Sequence, residues 1–265
     1  MNVLELNELC ITYQISKEAV NHISFAVPEG KIVAIVGESG SGKSTVIRAA
    51  IDLLPPGGEI TNGTLLFCGE DIRELSKEQV RKKRGKEMVM IFQDAGSYLN
   101  PRRRIGTQYL ETLEAHLSIS KSEMKKLAAD MLSRLKLPDP ERIMKSYPFQ
   151  LSGGMRQRVA IAMAMSMHPK LLLADEPTSA LDVTIQAQVV QEMLNMRDEL
   201  GTAIVIVTHN MGVASRMADY IAVMQHGNLM EFGTRDQVIE TPQNEYTRRL
   251  LSVVPELEDD TVAGK

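Results

Sequence analysis

The residues with the clearest chemistry form one glycine-rich stretch, Gly37-Glu38-Ser39-Gly40-Ser41-Gly42-Lys43-Ser44-Thr45. It fits the pattern G-x-x-x-x-G-K-[ST] and follows an apolar run, which is the context that a phosphate-binding loop requires. Because glycines let the chain wrap closely, backbone N–H groups and a helix N-terminus can face phosphate oxygens. Lys43 can neutralise the charge of the β- and γ-phosphates, and the Ser44 hydroxyl can bind Mg²⁺. The stretch therefore predicts a site for ATP with Mg²⁺.

A pair of carboxylates ends the apolar segment Leu171-Leu172-Leu173-Ala174-Asp175-Glu176. Asp175 is placed to hold Mg²⁺, directly or through water. Glu176 would then lie beside the terminal phosphate and polarise the attacking water as a general base. Acidic pairs at strand ends are common, so the prediction of hydrolysis depends on the phosphate-binding loop upstream.

A second helix start of similar composition reads Leu151-Ser152-Gly153-Gly154-Met155. A serine and two glycines at a helix N-terminus can bind an anion. The same residues also suit an ordinary helix that is capped by its serine, and the residues alone leave both interpretations open. The chain thus carries two helix starts of a phosphate-binding type but only one carboxylate pair like Asp175–Glu176.

The elements that must position these residues alternate between strands and helices. Continuous apolar runs, typical of strands buried in a parallel sheet, occur at residues 31–36, 88–92, 170–174 and Ala203–Val207. Helical patterns run from residue 42 to about 54, over Val183–Leu200 and over 210–217. This alternation predicts an α/β fold with a mostly parallel central sheet.

Both ends of the chain predict antiparallel pairing. Residues 3–6 and 19–27 alternate apolar and polar side chains, which is typical of antiparallel strands, and 64–67 predicts another strand. His226-Gly227 separates two further short apolar segments and predicts a hairpin turn. From the strands predicted at 3–6, 19–27 and 64–67, we expect an N-terminal antiparallel β-subdomain beside the central sheet.

Between about residues 106 and 146 the pattern becomes mostly helical. Ser120 and Glu123 form a capping box, while Pro138 and Pro140 predict breaks. We expect a helical subdomain at about 100–168, inserted into one domain that spans 1–254. Residues 255–265 are acidic and poor in apolar side chains, which predicts a disordered tail.

Composition excludes several classes of function. The 265-residue chain has a net charge of −4, whereas nucleic-acid-binding proteins usually carry a basic excess. Its apolar runs are shorter than the ~20 residues that span a bilayer, and its first residues lack a signal-peptide pattern. Cys10 and Cys68 stand far apart without metal-ligand spacing and predict small buried side chains.

The order of the glycine-rich loop, Gln93, the Leu151–Met155 segment, the Asp175–Glu176 pair and His209 resembles the ABC transporter ATPase family over nearly the whole chain. The resemblance implies a P-loop NTPase fold of ABC type. It also implies that residues 151–154 complete the ATP site of a partner subunit, which would account for the second helix start.

The resemblance implies further roles one residue at a time. Tyr13 matches the aromatic residue that stacks on adenine, although a structural tyrosine remains an alternative. Gln93 matches the glutamine that touches Mg²⁺ and water and senses the membrane subunit. His209 matches the histidine that contacts the γ-phosphate. Asp182, in the segment Ser179-Ala180-Leu181-Asp182, matches the loop that lines the dimer interface.

A narrower resemblance connects the chain with the peptide and nickel importers. It rests on Gln93-Asp94, Leu99-Asn100-Pro101, Tyr147-Pro148-Phe149, Leu181 to Gln188, and Tyr246-Thr247-Arg248. Met155 after Ser-Gly-Gly resembles the first of that group's two paralogous ATPases. Phe149 stands where peptide importers more often carry histidine and looks closer to the nickel importers.

The resemblance implies that the chain is the ATP-hydrolysing subunit of an importer of peptides or nickel chelates. Its expected partners are two integral membrane permeases, a paralogous ATPase or a second copy of itself, and indirectly an extracytoplasmic solute-binding protein. It would then act at the cytoplasmic face of the inner membrane. The alternative is a soluble ABC ATPase acting on nucleic acid or the ribosome.

Overall fold

The computed structural model of the chain describes residues 1–13, 17–179 and 181–252. The strands are β1 (Asn2–Tyr13), β2 (Lys17–Pro28), β3 (Ile32–Val36), β4 (Gly58–Phe67), β5 (Glu70–Asp71), β6 (Met88–Ile91), β7 (Leu171–Asp175), β8 (Ala203–Val207), β9 (Tyr220–Gln225) and β10 (Asn228–Thr234). The helices are α1 (Lys43–Ala50), α2 (Lys77–Lys83), α3 (Ile105–His116), α4 (Lys121–Arg134), α5 (Pro140–Lys145), α6 (Gly153–Met165), α7 (Val183–Leu200), α8 (Met211–Met217), α9 (Arg235–Glu240) and α10 (Glu245–Ser252).

A six-stranded sheet forms the centre of the molecule, in the order β10-β9-β3-β8-β7-β6. Strands β9, β3, β8, β7 and β6 are parallel, and β10 joins the edge as the antiparallel arm of the expected hairpin. Every residue of β3, β7 and β8 is buried, as expected of parallel strands covered on both faces. The α/β fold with a mostly parallel sheet is confirmed.

The two faces of this sheet pack against different layers. Within β3, Val33 and Ile35 face a core shared with α1 and with a four-stranded antiparallel sheet of order β2-β1-β4-β5. Ala34 and Val36 face the opposite core, which includes α7, α8 and the helices α3 to α6. The alternation follows from the two-residue period of a strand. The antiparallel sheet and the helical layer therefore sandwich the strands whose ends carry the expected chemistry.

The helical layer is tied together by buried polar contacts. The Tyr109 hydroxyl of α3 lies 2.7 Å from the Ser166 hydroxyl after α6. The Arg158 guanidinium of α6 donates to the carbonyls of Leu135 and Lys136, at 3.1 and 2.8 Å, and so satisfies the last turn of α4. These contacts fix α6 against α3 and α4.

Several element boundaries differ from the sequence-based expectation. Helix α1 ends at Ala50 rather than near Leu54, because Asp52 adopts a left-handed φ of 50°. Strand β4 begins at Gly58, six residues before the predicted start, because its first residues pair with β1. Pro140 starts α5 instead of breaking a helix, since proline lacks the N–H that a first turn leaves unused.

The capping box at Ser120 forms as expected, and another forms at Ser76, each with both reciprocal hydrogen bonds. Among the described residues, no helix is long and apolar enough to cross a membrane. The tail at 255–265 lies outside the described residues, as does Ala180.

Candidate active site

The carboxyl ends of four neighbouring strands meet at one edge of the parallel sheet. Strand β3 leads into the glycine-rich loop, β6 into Gln93, β7 ends at Asp175, and β8 leads to His209. Ligands of open α/β sheets bind at such an edge. A cavity of ≈ 560 Å³ lies there. Its walls include predicted residues from four segments: Tyr13, Ser39, Gly40, Gly42, Lys43, Ser44, Thr45, Gln93 and Glu176.

Two glycines make the tight path of the loop possible. Gly37 has a φ of 144°, and a Cβ there would lie 2.0 Å from the Met224 carbonyl oxygen. Gly42 has a φ of 99°, and its Cβ would lie 2.4 Å from the Ala19 carbonyl oxygen. A side chain at either position would collide with backbone, so only glycine lets the loop pass this close to β9 and β2.

The start of α1 presents open hydrogen-bond donors. Gly42 precedes the helix without a side-chain cap, and the first backbone bond joins the Val46 N–H to its carbonyl. Within the described ranges, no acceptor meets the N–H groups of Lys43, Ser44 or Thr45. Unpaired donors at a helix N-terminus, together with the helix dipole, suit a phosphate group.

The Lys43 ammonium lies inside the curve of the loop. It donates to the carbonyl oxygens of Gly37 and Glu38 at 2.8 and 2.6 Å. Burial lowers the pKa of Lys43, while the nearby carboxylates Glu176 and Asp175 act in the opposite direction. The loop carbonyls thus hold the cation beside the open N–H groups.

Ser44 and Asp175 supply oxygen ligands beneath the cavity. The Ser44 hydroxyl donates to Asp175 Oδ1 at 2.8 Å, and Asp175 is 1% exposed. The second carboxylate oxygen, Oδ2, is buried without a partner among the described residues. Burial raises the pKa of Asp175, and the hydrogen bond from Ser44 opposes that shift. A hydroxyl and a carboxylate with an unused buried oxygen fit Mg²⁺, which prefers such hard oxygen ligands.

Glu176 contacts His209 at the mouth of the site. Its carboxylate Oε1 lies 2.9 Å from His209 Nδ1, and its side chain is 19% exposed, against 65% for the histidine. Glu176 has a left-handed φ of 45°, and its N–H donates to the Val207 carbonyl at 2.9 Å. This backbone turn directs the segment after β7 toward the end of β8. The structure therefore brings together Glu176 and His209, two of the three predicted catalytic side chains, and the third, Gln93, lines the same cavity as Glu176.

Tyr13 and Gln93 line the same cavity as the glycine-rich loop. The Tyr13 hydroxyl is 3.5 Å from the Thr45 hydroxyl. A Cβ on Gly58 would come within 2.6 Å of the Tyr13 ring, so the ring rests directly on the glycine backbone. The ring is thereby positioned by packing, with part of it facing the cavity.

The segment 151–154 and Asp182 do not line this cavity. Ser152 precedes α6 and accepts a hydrogen bond from the Met155 N–H at 3.3 Å. A Cβ on Gly153 would meet no atom within 4 Å. Asp182 caps α7 by accepting from the Ile185 N–H at 3.0 Å. Ser152 and Asp182 are helix caps within this chain, and Gly153 faces open space.

Three supporting residues were missed by the sequence analysis. The Gln157 side chain of α6 accepts from the Gly96 N–H at 3.1 Å and donates to the Pro177 carbonyl at 2.9 Å. The Gly227 N–H donates to the Ser41 carbonyl at 3.1 Å, and the Tyr246 hydroxyl accepts from the Glu38 N–H at 3.2 Å. The hairpin at His226-Gly227 was predicted, but no pattern indicated that it would support the loop.

Comparisons with known proteins agree with this geometry. Residues 20–179 match the family model described as ABC transporter. The oligopeptide transport ATP-binding protein OppD of Bacillus subtilis (strain 168) is 44% identical over 260 residues, covering 97% of this chain and 73% of that protein. The dipeptide transport ATP-binding protein DppD of the same strain is 42% identical over 259 residues, covering 97% and 77%. A solved dimeric post-hydrolysis state of the ATP-binding cassette MJ0796, bound to ADP and Pi, has a TM-score of 0.79 and 28% identity, covering 88% of this chain and 98% of that one.

Proposed function

The chain belongs to the ABC transporter family, and from that premise we propose that it binds and hydrolyses ATP with Mg²⁺ to drive peptide import through separate membrane subunits. The observation that carries the proposal is the single cavity shared by the glycine-rich loop, Gln93 and Glu176, with Asp175 and His209 adjoining it. Relatives named for oligopeptide and dipeptide transport support the substrate class.

Binding uses donors that are already in place. Tyr13 offers a ring face to the adenine. The open N–H groups of Lys43, Ser44 and Thr45 face the phosphates, and the Lys43 ammonium, which the Gly37 and Glu38 carbonyls hold beside them, donates to phosphate oxygens. Ser44, Asp175 and Gln93 are the residues that would hold Mg²⁺. The bound ion would neutralise charge developing on the phosphate oxygens.

Hydrolysis uses the pair at the mouth of the cavity. The Glu176 carboxylate accepts a proton from the attacking water, which increases the nucleophilicity of the oxygen. His209 contacts Glu176 Oε1 and fixes the direction of that carboxylate. The histidine also provides an N–H for the γ-phosphate. Products are ADP and phosphate.

The exposed start of α6 fits the ATP site of a partner ATPase. Ser152 caps α6 within its own chain, and Gly153 is open to approach. The dimeric cassette MJ0796 supports an assembly of two such chains. We propose a paralogous ATPase as the partner, with a second copy as the alternative arrangement. ATP-driven association and separation would move the permeases between inward- and outward-facing states.

The proposed setting is peripheral, at the cytoplasmic face of the inner membrane, with two permeases and an extracytoplasmic solute-binding protein that delivers the peptide. The nickel-importer-like subtype suggested by Phe149 and the paralogue position suggested by Met155 remain predictions. The alternative of an ATPase acting on nucleic acid finds no support in the two relatives, both of which are named for transport.

Hydrolysis of MgATP by the purified chain tests the proposal. Lys43→Ala removes the cation of the loop and should lower the rate by about 10²-fold or more. Lys121→Ala removes an exposed lysine at the start of α4 and serves as the matched control. Hydrolysis retained by Lys43→Ala, or absent from the unmodified chain with its permeases, would contradict the proposal.

A further inference from the structure

One peptide unit at the start of the glycine-rich loop is held from both sides. The unit joining Gly37 to Glu38 carries the Gly37 carbonyl and the Glu38 N–H. The carbonyl accepts from Lys43 Nζ at 2.8 Å, and the N–H donates to the Tyr246 hydroxyl at 3.2 Å. Because a trans peptide is planar, its C=O and N–H point in opposite directions. The tyrosine therefore fixes the direction of the carbonyl that holds the lysine.

This peptide unit needs an anchor because its first residue does not restrain it. Gly37 has a φ of 144°, which L side chains rarely adopt, and the absence of a Cβ allows many other backbone angles. Rotation about Gly37 would turn both the carbonyl and the N–H of the unit. Partners on each side are thus what selects one orientation.

Tyr246 is itself held firmly. It lies at the start of α10, is 6% exposed, and its N–H donates to the Asn244 side chain at 2.8 Å. The Glu231 carboxylate of β10 accepts from the N–H groups of Gln243 and Asn244, at 2.8 and 3.2 Å. The start of α10 is therefore fixed to the edge of the central sheet, and the hydroxyl is a stationary acceptor.

We propose that Tyr246 is a positioning residue for the ATP site, which it serves by fixing the Gly37–Glu38 peptide and through it Lys43. The inference rests on the proposed function, since the loop it orders is the one assigned to the phosphates. An ordered loop binds its ligand with a smaller conformational entropy cost. The hydroxyl should therefore affect nucleotide affinity and KM, whereas kcat depends on Glu176 and should stay nearly unchanged.

Tyr246→Phe removes the hydroxyl and keeps the buried ring. Tyr220→Phe is the matched control, because the Tyr220 ring packs on Phe232 and its hydroxyl has no hydrogen-bond partner among the described residues. We expect Tyr246→Phe to raise the Kd for MgADP and the KM for ATP by about two- to tenfold, the effect of one lost hydrogen bond. The kcat should stay within about twofold. Amide exchange at Glu38 should become faster.

Calorimetric titration with MgADP, steady-state kinetics and amide exchange give separable outcomes. A Kd and Glu38 exchange rate equal to those of the unmodified chain would overturn the role of Tyr246 while leaving ATP hydrolysis intact. A lower kcat and thermal midpoint with an unchanged Kd would show a merely structural tyrosine. If the unmodified chain bound no nucleotide, the proposed function and this inference would both fail. If Tyr246→Phe did not fold, Asn244→Ala, which loosens the start of α10, should raise the Kd in the same direction, and an unchanged Kd would overturn the proposal.

Discussion

The two glycine- and serine-rich helix starts of this chain differ in what lies beneath them. Helix α1 starts above the carboxyl ends of β7 and β8, and its uncapped donors face a cavity lined by Glu176. Helix α6 starts on the helical layer, Ser152 caps it by accepting from the Met155 N–H, and no carboxylate pair lies nearby in sequence. Of these two helix starts, the start of α1 is therefore the one beside the strand-end carboxylates that are proposed to hold Mg²⁺ and to act as the base.

The difference also shows how the two regions complement each other. The cavity at α1 contains Glu176, the proposed base, and the open N–H groups proposed to bind phosphate, while the start of α6 is open to approach at Gly153. Under the proposed function, each chain supplies the larger part of one ATP site and the smaller part of another. Variants confined to one region should then affect different measurements.

The largest expected effect separates chemistry from binding within the α1 region. Glu176→Gln keeps the size of the side chain but removes the proposed base, so single-turnover ATP hydrolysis should fall by about 10²-fold or more. Nucleotide affinity should stay close to that of the unmodified chain. Glu141→Gln, on an exposed turn of α5, is the control. A near-normal rate in Glu176→Gln would remove that residue from its assigned role.

A second variant breaks the connection between the two regions. Gln157 is 1% exposed and links α6 to the Gly96 N–H and to the Pro177 carbonyl, next to Glu176. Gln157→Leu would leave both backbone groups unpaired, and each orphaned group costs about 1–3 kcal/mol of unfolding free energy. Chemical denaturation measures the loss. Gln191→Leu, on the exposed face of α7, should lose far less; equal losses would show that the link carries no special stability.

A smaller effect tests the adenine side of the cavity. Tyr13→Ala removes the ring that rests on Gly58, and loss of stacking should raise the Kd for ATP by about tenfold. Tyr13→Phe keeps the ring and loses only the 3.5 Å contact with Thr45, so its Kd should remain nearly unchanged. Titration of both variants distinguishes stacking from the hydroxyl contact. Equal affinities for Tyr13→Ala and the unmodified chain would support the structural interpretation of this tyrosine.

The sequence was sufficient to predict the parts of the fold that repeat a local pattern. Buried strands, the capping box at Ser120 and the strand-end positions of Asp175 and His209 follow from apolar periodicity and from short motifs. The site assignments of Gln93, Tyr13 and residues 151–154 depended on the family resemblance. The chemical roles of all these residues stay predictions.

The supporting contacts could not be predicted, because they join residues that are far apart in the chain. Glu38 and Tyr246 are separated by 208 positions, and Gly96 and Gln157 by 61. A buried tyrosine or glutamine in a helix gives no sequence signal for the backbone group it will meet. The early end of α1 likewise depends on the left-handed turn at Asp52, which an aspartate permits without requiring.

The measurement closest to the central claim compares the nucleotide sites of monomer and dimer. Gly153→Asp places a carboxylate where the α6 start should meet a partner's γ-phosphate, and like charges there repel. The Glu176→Gln background slows hydrolysis. In that background, sedimentation velocity with ATP should show that the chain forms dimers, either with the physiological partner ATPase or with a second copy of itself. Adding Gly153→Asp should abolish them, while Ser122→Asp at the start of α4 should not.

The monomer's Kd for ATP decides between the two regions. We predict that Gly153→Asp leaves this Kd unchanged while the ATP-dependent dimer disappears, because α6 serves the nucleotide of the partner. A large loss of the monomer's affinity for ATP would place Gly153 in the same-chain site. It would contradict the claim that α1 binds the nucleotide of its own chain and α6 that of the partner.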